Sequence, residues 1–449
     1  MLSFADRKAE LARQVAGGPA QSRTGPIGLQ KSTSNLFRDR AAAPKRRLDV
    51  SAFHHVLEVN PGEGWVDVEG MTPYDALAAT TLRSGVMPCV VPQLKSITIG
   101  GAVAGVGIEA SSFRYGLVHD TLMELEILLG DGSVVLARPD NEHSDLFFGF
   151  PNSYGTLGYA LRVKTKTIPV KPYVQLSHLR YSDAKEYFRR LGECCMSRDV
   201  DFVDGAVFGP DQMYISLGRS VDEAPYTSDY TYQKIFYRSI AERETDYLTA
   251  EAYLWRWDTD WFWCSRNLGA QHPIVWRLLG RKRLNSRFYT KVMRWNSRWH
   301  LTHALDRLSK LHRESVIQDV DVPIEHAPEF LDFFQREIGI LPVWICPIGN
   351  WDPARRWALY PLDRSKLYVN FGFWDVVRVE QARPPGHYNR LVEQKVQELG
   401  GIKSLYSDSF YPPEAFWATY NGEAYRALKR KYDPGSVFKD LYQKCVLRQ

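Results

Sequence analysis

PQLKSITIGGAVAGVGIEASSFRYG, residues 92–116, carries five glycines (Gly100, Gly101, Gly105, Gly107 and Gly116), four of them within eight residues. Hydroxyls of Ser96, Thr98, Ser111 and Ser112 are interleaved with them, and no charge stands between Lys95 and Glu109. Glycine lets a backbone approach a ligand closely and turn its N–H groups toward phosphate oxygens, and hydroxyls add donors. The loop is not a Walker loop, because no Gly-Lys-Ser/Thr closes it, and Gly105 and Gly107 only begin a dinucleotide GxGxxG. By themselves the glycines fit two readings: a phosphate cradle, or a strand-turn-helix junction with no ligand.

On the N-terminal side of the loop, residues 1–18 read as a short amphipathic helix, followed by a strand and the run Lys31-Ser32-Thr33-Ser34-Asn35. That run suits a pyrophosphate loop or an ordinary solvated turn. HVLEVN and WVDVEG alternate around Pro61-Gly62-Glu63-Gly64, a hairpin signal. Thr72 as N-cap, Pro73 at N1 and Asp75 open a helix that Gly85 ends. On the C-terminal side, LMELEILLGDGSVVLA turns on Asp131-Gly132, and the glycine turn Asn152–Gly158 enters the alternating strand ALRVKTKTIP. Two strands, a helix and then the glycine loop describe an α+β domain rather than a doubly wound sheet.

The remaining composition narrows the function. The 449 residues suggest two domains, or one with a large cap, and 44% hydrophobic content is ample for a core. Six cysteines without a metal-type CxxC pair read as reduced thiols in a cytosolic setting, and no metal site is expected. The N-terminal stretch has no apolar run long enough for a signal peptide or a spanning helix. Aromatics crowd YLWRWDTDWFWCSRN (253–267), and residues 276–313 carry eleven Lys/Arg against one acid, Asp306. Seven of the thirteen tryptophans fall between 255 and 299. Such a segment, 253–313, fits an interfacial contact with anionic membrane, or equally a tryptophan-rich cap core beside a solvated basic helix. A nucleic-acid groove also uses basic and aromatic residues, but lipid, not nucleic acid, is the partner expected here.

Several stretches together resemble the vanillyl-alcohol oxidase / p-cresol methylhydroxylase (PCMH-type) superfamily, and within it sterol Δ24-reductases. They are VPQLKSITIGGAVAGVGIEASSFRYG, HSDLFFGFPNSYGTLGYALRVKTKTIP, IQDVDVP, PVWICP and LYSDSFYPPEAFW. The resemblance implies an α+β fold: a PCMH-type FAD-binding domain of two α+β subdomains (1–174), an α+β substrate cap (175–400), and a C-terminal segment (401–449) completing the active site. It implies that FAD is met by Ser32, Thr33, Ser34 and Asn35, by Thr98, Gly100, Gly101, Gly105, Gly107, Ser111, Ser112, Tyr115 and Gly116, and by Gly155, Thr156 and Gly158. The phosphate loop lacks the histidine that tethers flavin in many members, and Cys89 is two residues from the second tether position, so FAD is expected to be non-covalent. Similar bacterial flavoproteins reduce a methylene branch on phospholipid acyl chains with NADPH. The resemblance therefore implies NADPH-driven reduction of a lipid C=C bond, sterol or acyl, by a cytoplasmic protein peripherally associated with membrane.

No Ser-His-Asp order, HExxH or carboxylate pair stands out among the eleven scattered histidines, so the hard chemistry falls to the cofactor. Reducing an isolated C=C with reduced flavin also needs a proton donor. Glu109, Tyr406, Asp408 and Tyr411 are the candidates; Glu109 has the plain alternative of capping a helix, and the tyrosines of packing. Two other functions fit the same motifs: an FAD-dependent oxidase or dehydrogenase of an alcohol or lactone, and a flavin- or lipid-binding protein without turnover.

Overall fold

The computed structural model describes residues 3–16, 27–31, 37–38, 46–197, 199–232, 234–299, 312–350 and 352–449, with the side chains of 267–268 and 293–299 aside. Ser32, Thr33, Ser34 and Asn35 lie outside the described residues. Helix and strand are mixed throughout, and apart from the parallel pair β1 (Ile27–Gln30) and β2 (Arg46–Asp49) every strand pairing is antiparallel, which makes the chain α+β.

The first large sheet is built from the alternating stretches around the glycine loop. Its strands are β3 (Val56–Asn60), β4 (Trp65–Glu69), β5 (Val86–Pro88), β6 (Leu122–Leu128), β7 (Val134–Ala137) and β8 (Tyr159–Pro169), in the order β3-β4-β8-β6-β7 with β5 on the end of β8. The expected hairpins form: Gly64 (φ 69°) closes β3–β4, and Gly132 (φ 91°) turns β6 into β7 while Asp131 Oδ1 accepts from Ser133 N at 2.8 Å. Helix Tyr74–Arg83 begins one residue later than expected. Pro73 is its N-cap, because the Thr72 hydroxyl donates to His55 O instead. Gly85 (φ 71°) follows its end. The N-terminal helix Phe4–Ala16 buries Leu11 and Val15 and ties Lys8 to Glu126.

The second sheet has eight strands: β9 (Tyr173–Tyr181), β10 (Phe202–Gly209), β11 (Gln212–Val221), β12 (Thr245–Thr249), β13 (His312–Pro323), β14 (Val343–Ile348), β15 (Tyr368–Val379) and β16 (Ile402–Lys403), ordered β12-β9-β11-β10-β14-β15-β13-β16. Strand periodicity places alternate residues on opposite faces. Val316, Val320, Val343, Ile345, Phe371 and Phe373 lie on one face and pack against helices Ala184–Ser197, Ala327–Glu337 and His387–Glu398. Asp204, Trp344, Cys346, Asn370, Gly372, Trp374, Asp319 and Asp321 lie on the other, toward the glycine loop. The tail returns to the first sheet's side, where Lys429 Nζ donates to Thr156 O at 2.8 Å and Lys444 Nζ to Tyr154 O.

Among the described side chains the tryptophan-rich stretch is core rather than a lipid-facing surface; the side chains of Trp295 and Trp299 and residues 300–311 lie outside what the structure describes. Trp255, Trp257, Trp261, Trp263 and Trp276 are all buried, so their indoles do not sit at headgroup depth. The apolar side chains that do face out in this region are Ile274 (66% exposed), Val275 (37%) and Leu278 (75%), on helix Pro273–Arg283.

Candidate functional site

Helix Ile99–Ala104 is capped by Thr98, whose Oγ1 accepts from Gly101 N at 3.3 Å. Close approach within the protein accounts for most of the glycines. Gly100 N donates to Gly70 O at 2.8 Å, and a Cβ on Gly100 would lie 2.7 Å from that carbonyl. A Cβ on Gly107 would lie 2.7 Å from the Val118 side chain. Ser111 Oγ donates to Cys89 O at 2.7 Å, and Ser112 Oγ accepts from Glu109 N at 3.1 Å. Gly101 is the exposed member, at the first turn of the helix. Gly116 adopts φ 72°, with half-buried Tyr115 before it. Between Gly105 and Gly107 the β-branched Val106 is held at φ 60°, a conformation such residues avoid and one that gathers at ligand sites.

The second glycine turn is clasped to the end of this helix. Tyr154 N donates to Ala104 O (3.0 Å) and Tyr154 Oη to Gly105 O (2.9 Å). Gly155 (φ 74°) and Gly158 (φ 148°) make the bend, and Thr156 Oγ1 donates to Ser153 O. Arg38, at the far end of the hydroxyl run, lies over the Tyr154 ring, and Phe37 N donates to Tyr406 O at 3.0 Å. The structure thus brings together the end of the presumed pyrophosphate loop, both glycine turns and the tail.

Buried polar atoms without protein partners test whether a polar cofactor fits here. Among the described residues, Arg38 has Nε and Nη2 unpaired, Gln93 has both amide atoms unpaired, and Ser153 and Ser407 have unpaired hydroxyls. Leaving such groups buried and unsatisfied costs roughly 1–3 kcal/mol each, and a diphosphate with its sugar and ring system would satisfy them. The residues fit FAD. Burial pushes the Cys89 thiol up to about 12, far from the thiolate a covalent link requires.

The four proton-donor candidates separate. Tyr406 is half-buried, with its hydroxyl accepting from Trp374 Nε1 at 2.7 Å and the Asp319 carboxyl as its acidic neighbour. Asp408 turns its carboxylate to Arg448 (3.5 Å), while its carbonyl accepts from Lys403 Nζ. Tyr411 is buried against Phe416 and Tyr420. Glu109 is buried with Arg256 Nη1 at 3.3 Å, and the same guanidinium reaches Asp204 at 2.9 Å. Burial outweighs that cation and, with Asp204 adding to it, raises the Glu109 carboxyl to about 8. The Glu109 carboxylate caps no helix, and one of its oxygens has no partner.

Asp319 and Trp374 escaped the sequence reading, as did Arg38 and Gly372. The available signal was the alternation of IQDVDVP, which sets Asp319 and Asp321 on one face and Val320 and Val322 on the other. Gly372 lies opposite Asp319 in the sheet, and a Cβ there would be 2.7 Å from Asp319 Oδ1 and 2.5 Å from the Trp374 ring. Its missing side chain makes the room in which Trp374 folds over toward Tyr406. Against Trp374 packs the turn Trp261-Phe262-Trp263, three consecutive residues with left-handed φ (53°, 48°, 57°). Left-handed backbone disfavours such residues by roughly 1–2 kcal/mol each. Here it presses Phe262 onto Trp374 (4.8 Å between ring centres) and Trp344 (5.4 Å), and Trp261 onto Phe37 (5.6 Å). Among the described residues no cluster of three or more His, Cys, Asp or Glu is placed to hold a metal ion.

The chain has relatives among known proteins. Residues 20–138 match the family described as FAD binding domain. The chain is similar to the Delta(24)-sterol reductase of Homo sapiens, 28% identical over 404 residues that span 87% of this chain and 75% of the relative. It is similar to the Delta(24)-sterol reductase of Arabidopsis thaliana, 26% identical over 433 residues (88% and 76%). It is also similar to cytokinin dehydrogenase 7 of Oryza sativa subsp. japonica, 26% identical over 235 residues (49% and 42%).

Proposed function

This chain is an FAD-dependent oxidoreductase built on an FAD binding domain, and from that premise we propose that it reduces an unactivated C=C bond of a lipid with NADPH as electron donor. The observation that carries the reading is the Tyr406 hydroxyl, the polar tip of an aromatic cluster formed with Phe37, Trp261, Phe262 and Trp374. An apolar alkene would be bound by such a cluster, and a polar alcohol or lactone would leave its hydroxyls without partners. Conversely, a binding protein without turnover has no need of a tyrosine held between an indole N–H and a buried acid.

The glycine loop, the 152–158 turn, residues 32–35 and Arg38 would hold FAD non-covalently, and the reduced cofactor would supply the hydride for one alkene carbon. Tyr406 delivers the proton to the other carbon, Trp374 fixes the direction of its hydroxyl, and the aromatic cluster excludes water. Residues 1–174 form the flavin-binding part, 175–400 the substrate cap and 401–449 the tail that carries Tyr406. The Delta(24)-sterol reductase names favour a side-chain alkene of a sterol; a methylene-branched acyl chain of a phospholipid offers the same chemistry. NADPH consumption with each lipid in vesicles, and a saturated product by mass spectrometry, separates the two. Consumption with an alcohol or lactone and with neither alkene would overturn the reading. Acid precipitation should release all the yellow colour into the supernatant; colour retained on the denatured chain would contradict non-covalent binding.

A lipid substrate calls for contact with its membrane, and the protein is read as cytoplasmic and peripheral. Among the described residues no helix is long and apolar enough to cross a membrane. Helix Pro273–Arg283 exposes Ile274, Val275 and Leu278 beside Arg277, Arg281, Lys282 and Arg283, the composition of an interfacial helix on anionic lipid. Replacing Arg281, Lys282 and Arg283 by glutamate should weaken vesicle co-sedimentation and its salt dependence without loss of FAD, since screening acts over about 10 Å at 0.1 M. Equal binding by wild type to neutral and anionic vesicles at low salt would remove the electrostatic contribution.

A further inference from the structure

We propose that Asp319 is the proton-supplying partner of Tyr406, a positioning residue that must be protonated for the tyrosine to protonate an alkene. This rests on the reading of Tyr406 as donor. A phenol oxygen has one proton and room to accept two hydrogen bonds. One acceptor position is filled by Trp374 Nε1, a group that can only donate, at 2.7 Å. The other polar neighbour is Asp319. If Asp319 is ionised, it takes the tyrosine's proton as a hydrogen bond and turns it away from any substrate. If Asp319 is protonated, it donates into the remaining acceptor position, and the tyrosine's own O–H is the one bond left to offer a substrate.

The surroundings keep the acid protonated. Asp319 Oδ1 has no hydrogen-bond partner, and among the described residues no cationic side chain pairs with Asp319. Asp321 faces it from the same strand, itself held by Tyr360 Oη (2.6 Å) and Asn370 Nδ2 (2.7 Å). Tyr406 faces it from the tail, Tyr360 from the segment before β15 and Tyr154 from the second glycine turn. Burial is the main cause that raises its carboxyl to about 8, with Asp321 adding to it. At neutral pH Asp319 is therefore mainly the acid.

The proton balance closes. A C–H bond forms with the Tyr406 proton at one alkene carbon, while the hydride from reduced flavin forms the other C–H bond and leaves the flavin oxidised. Burial holds the Tyr406 pKa well above its ordinary value, which disfavours a free tyrosinate. The Asp319 proton therefore moves to the tyrosine oxygen as its first proton leaves. Asp319 ends ionised and takes a proton back from water after product release. The sign is fixed: the step is fast below the Asp319 pKa and slows as pH rises through it.

The test is anaerobic stopped-flow of NADPH-reduced holoenzyme mixed with a Δ24-unsaturated sterol in phospholipid vesicles, across pH. Wild-type flavin reoxidation should fall above pH about 8. Asp319→Asn should reoxidise about 10²-fold more slowly at neutral pH, without that alkaline fall, and with unchanged FAD content and NADPH-driven reduction. Asp319→Glu should restore part of the rate. Asp319→Asn at the wild-type rate with the wild-type pH profile would overturn the proposal. Infrared titration of the oxidised holoenzyme reads the acid without turnover: a protonated-carboxyl band present at neutral pH, lost on alkalinisation and missing in Asp319→Asn. Should wild type show no sterol-dependent reoxidation, the functional reading falls, and the infrared band still decides the state of Asp319; its absence sinks the proposal by itself. If Asp319→Asn fails to fold, Gly372→Ala displaces the carboxyl while keeping it, and should slow reoxidation alone.

Discussion

Along β13, Val316, Val320 and Val322 face one side of the sheet, and Asp319 and Asp321 the other. Along β15, Val369, Phe371 and Phe373 oppose Asn370, Gly372 and Trp374 in the same way. The two faces share strands, register and backbone hydrogen bonds, yet they are used differently. The outer face meets three helices and is filled with close-packed hydrocarbon, so its residues are replaceable only at the expense of stability. The inner face meets the glycine loop and the tail's Tyr406 and holds buried acids, one of which, Asp319, is incompletely satisfied among the described residues, an arrangement that weakens a fold and serves chemistry. A sheet can thus carry a site on one side because the other side supplies the packing.

Three substitutions sharpen the contrast, in falling order of effect. Phe371 is fully buried on the outer face against Phe188 and Phe330. Phe371→Ala should lower unfolding free energy by about 3–5 kcal/mol in denaturant, with each half-reaction unchanged per folded molecule. A kinetic defect with little loss of stability would break the division between faces. Tyr406→Phe should do the reverse. Its flavin reoxidation should slow by about 10²-fold, roughly 2.7 kcal/mol in the barrier, while the denaturation midpoint moves less than in Phe371→Ala. A wild-type rate would shift the donor to Glu109.

The effect that is smallest per pH unit is on the pH dependence of stability. The Asp319 carboxyl sits at about 8 in the fold and near 3.9 when unfolded. Between those values the native state binds more protons than the unfolded chain, so this group's contribution is complete below about pH 4 and lost as pH rises toward 8. Asp319→Asn should gain on wild type through that window by at most about 1.4 kcal/mol per pH unit. A constant stability difference across the window would mean that Asp319 is ionised in the fold.

These features were unequally legible in the sequence. The glycine loop, the two hairpins and the α+β order were readable because glycine demand and strand alternation are local. The tryptophans were ambiguous because an indole serves a membrane interface and a buried core equally well, and what decides between them is the left-handed turn at 261–263, which no composition reveals. Asp408 stood beside the tail tyrosines in sequence, but its side chain turns to Arg448. The acid that meets Tyr406 comes from β13, brought there by strand pairing over a long sequence separation. Gly372 reads as an ordinary strand residue until Trp374 and Asp319 are seen to occupy its missing side chain's space.

The account is tested most directly by a single turnover in D2O. Enzyme reduced anaerobically by unlabelled NADPH is mixed with a vesicle-borne Δ24-sterol or methylene-acyl phospholipid, and flavin absorbance and product mass are followed together. The account predicts that flavin reoxidises as stoichiometric saturated lipid appears, carrying one solvent-derived deuterium at the carbon that Tyr406 protonates, and that Tyr406→Phe loses both signals in parallel. Flavin that stays reduced with both alkenes in the wild-type protein, or a saturated product formed at full rate by Tyr406→Phe, would contradict it.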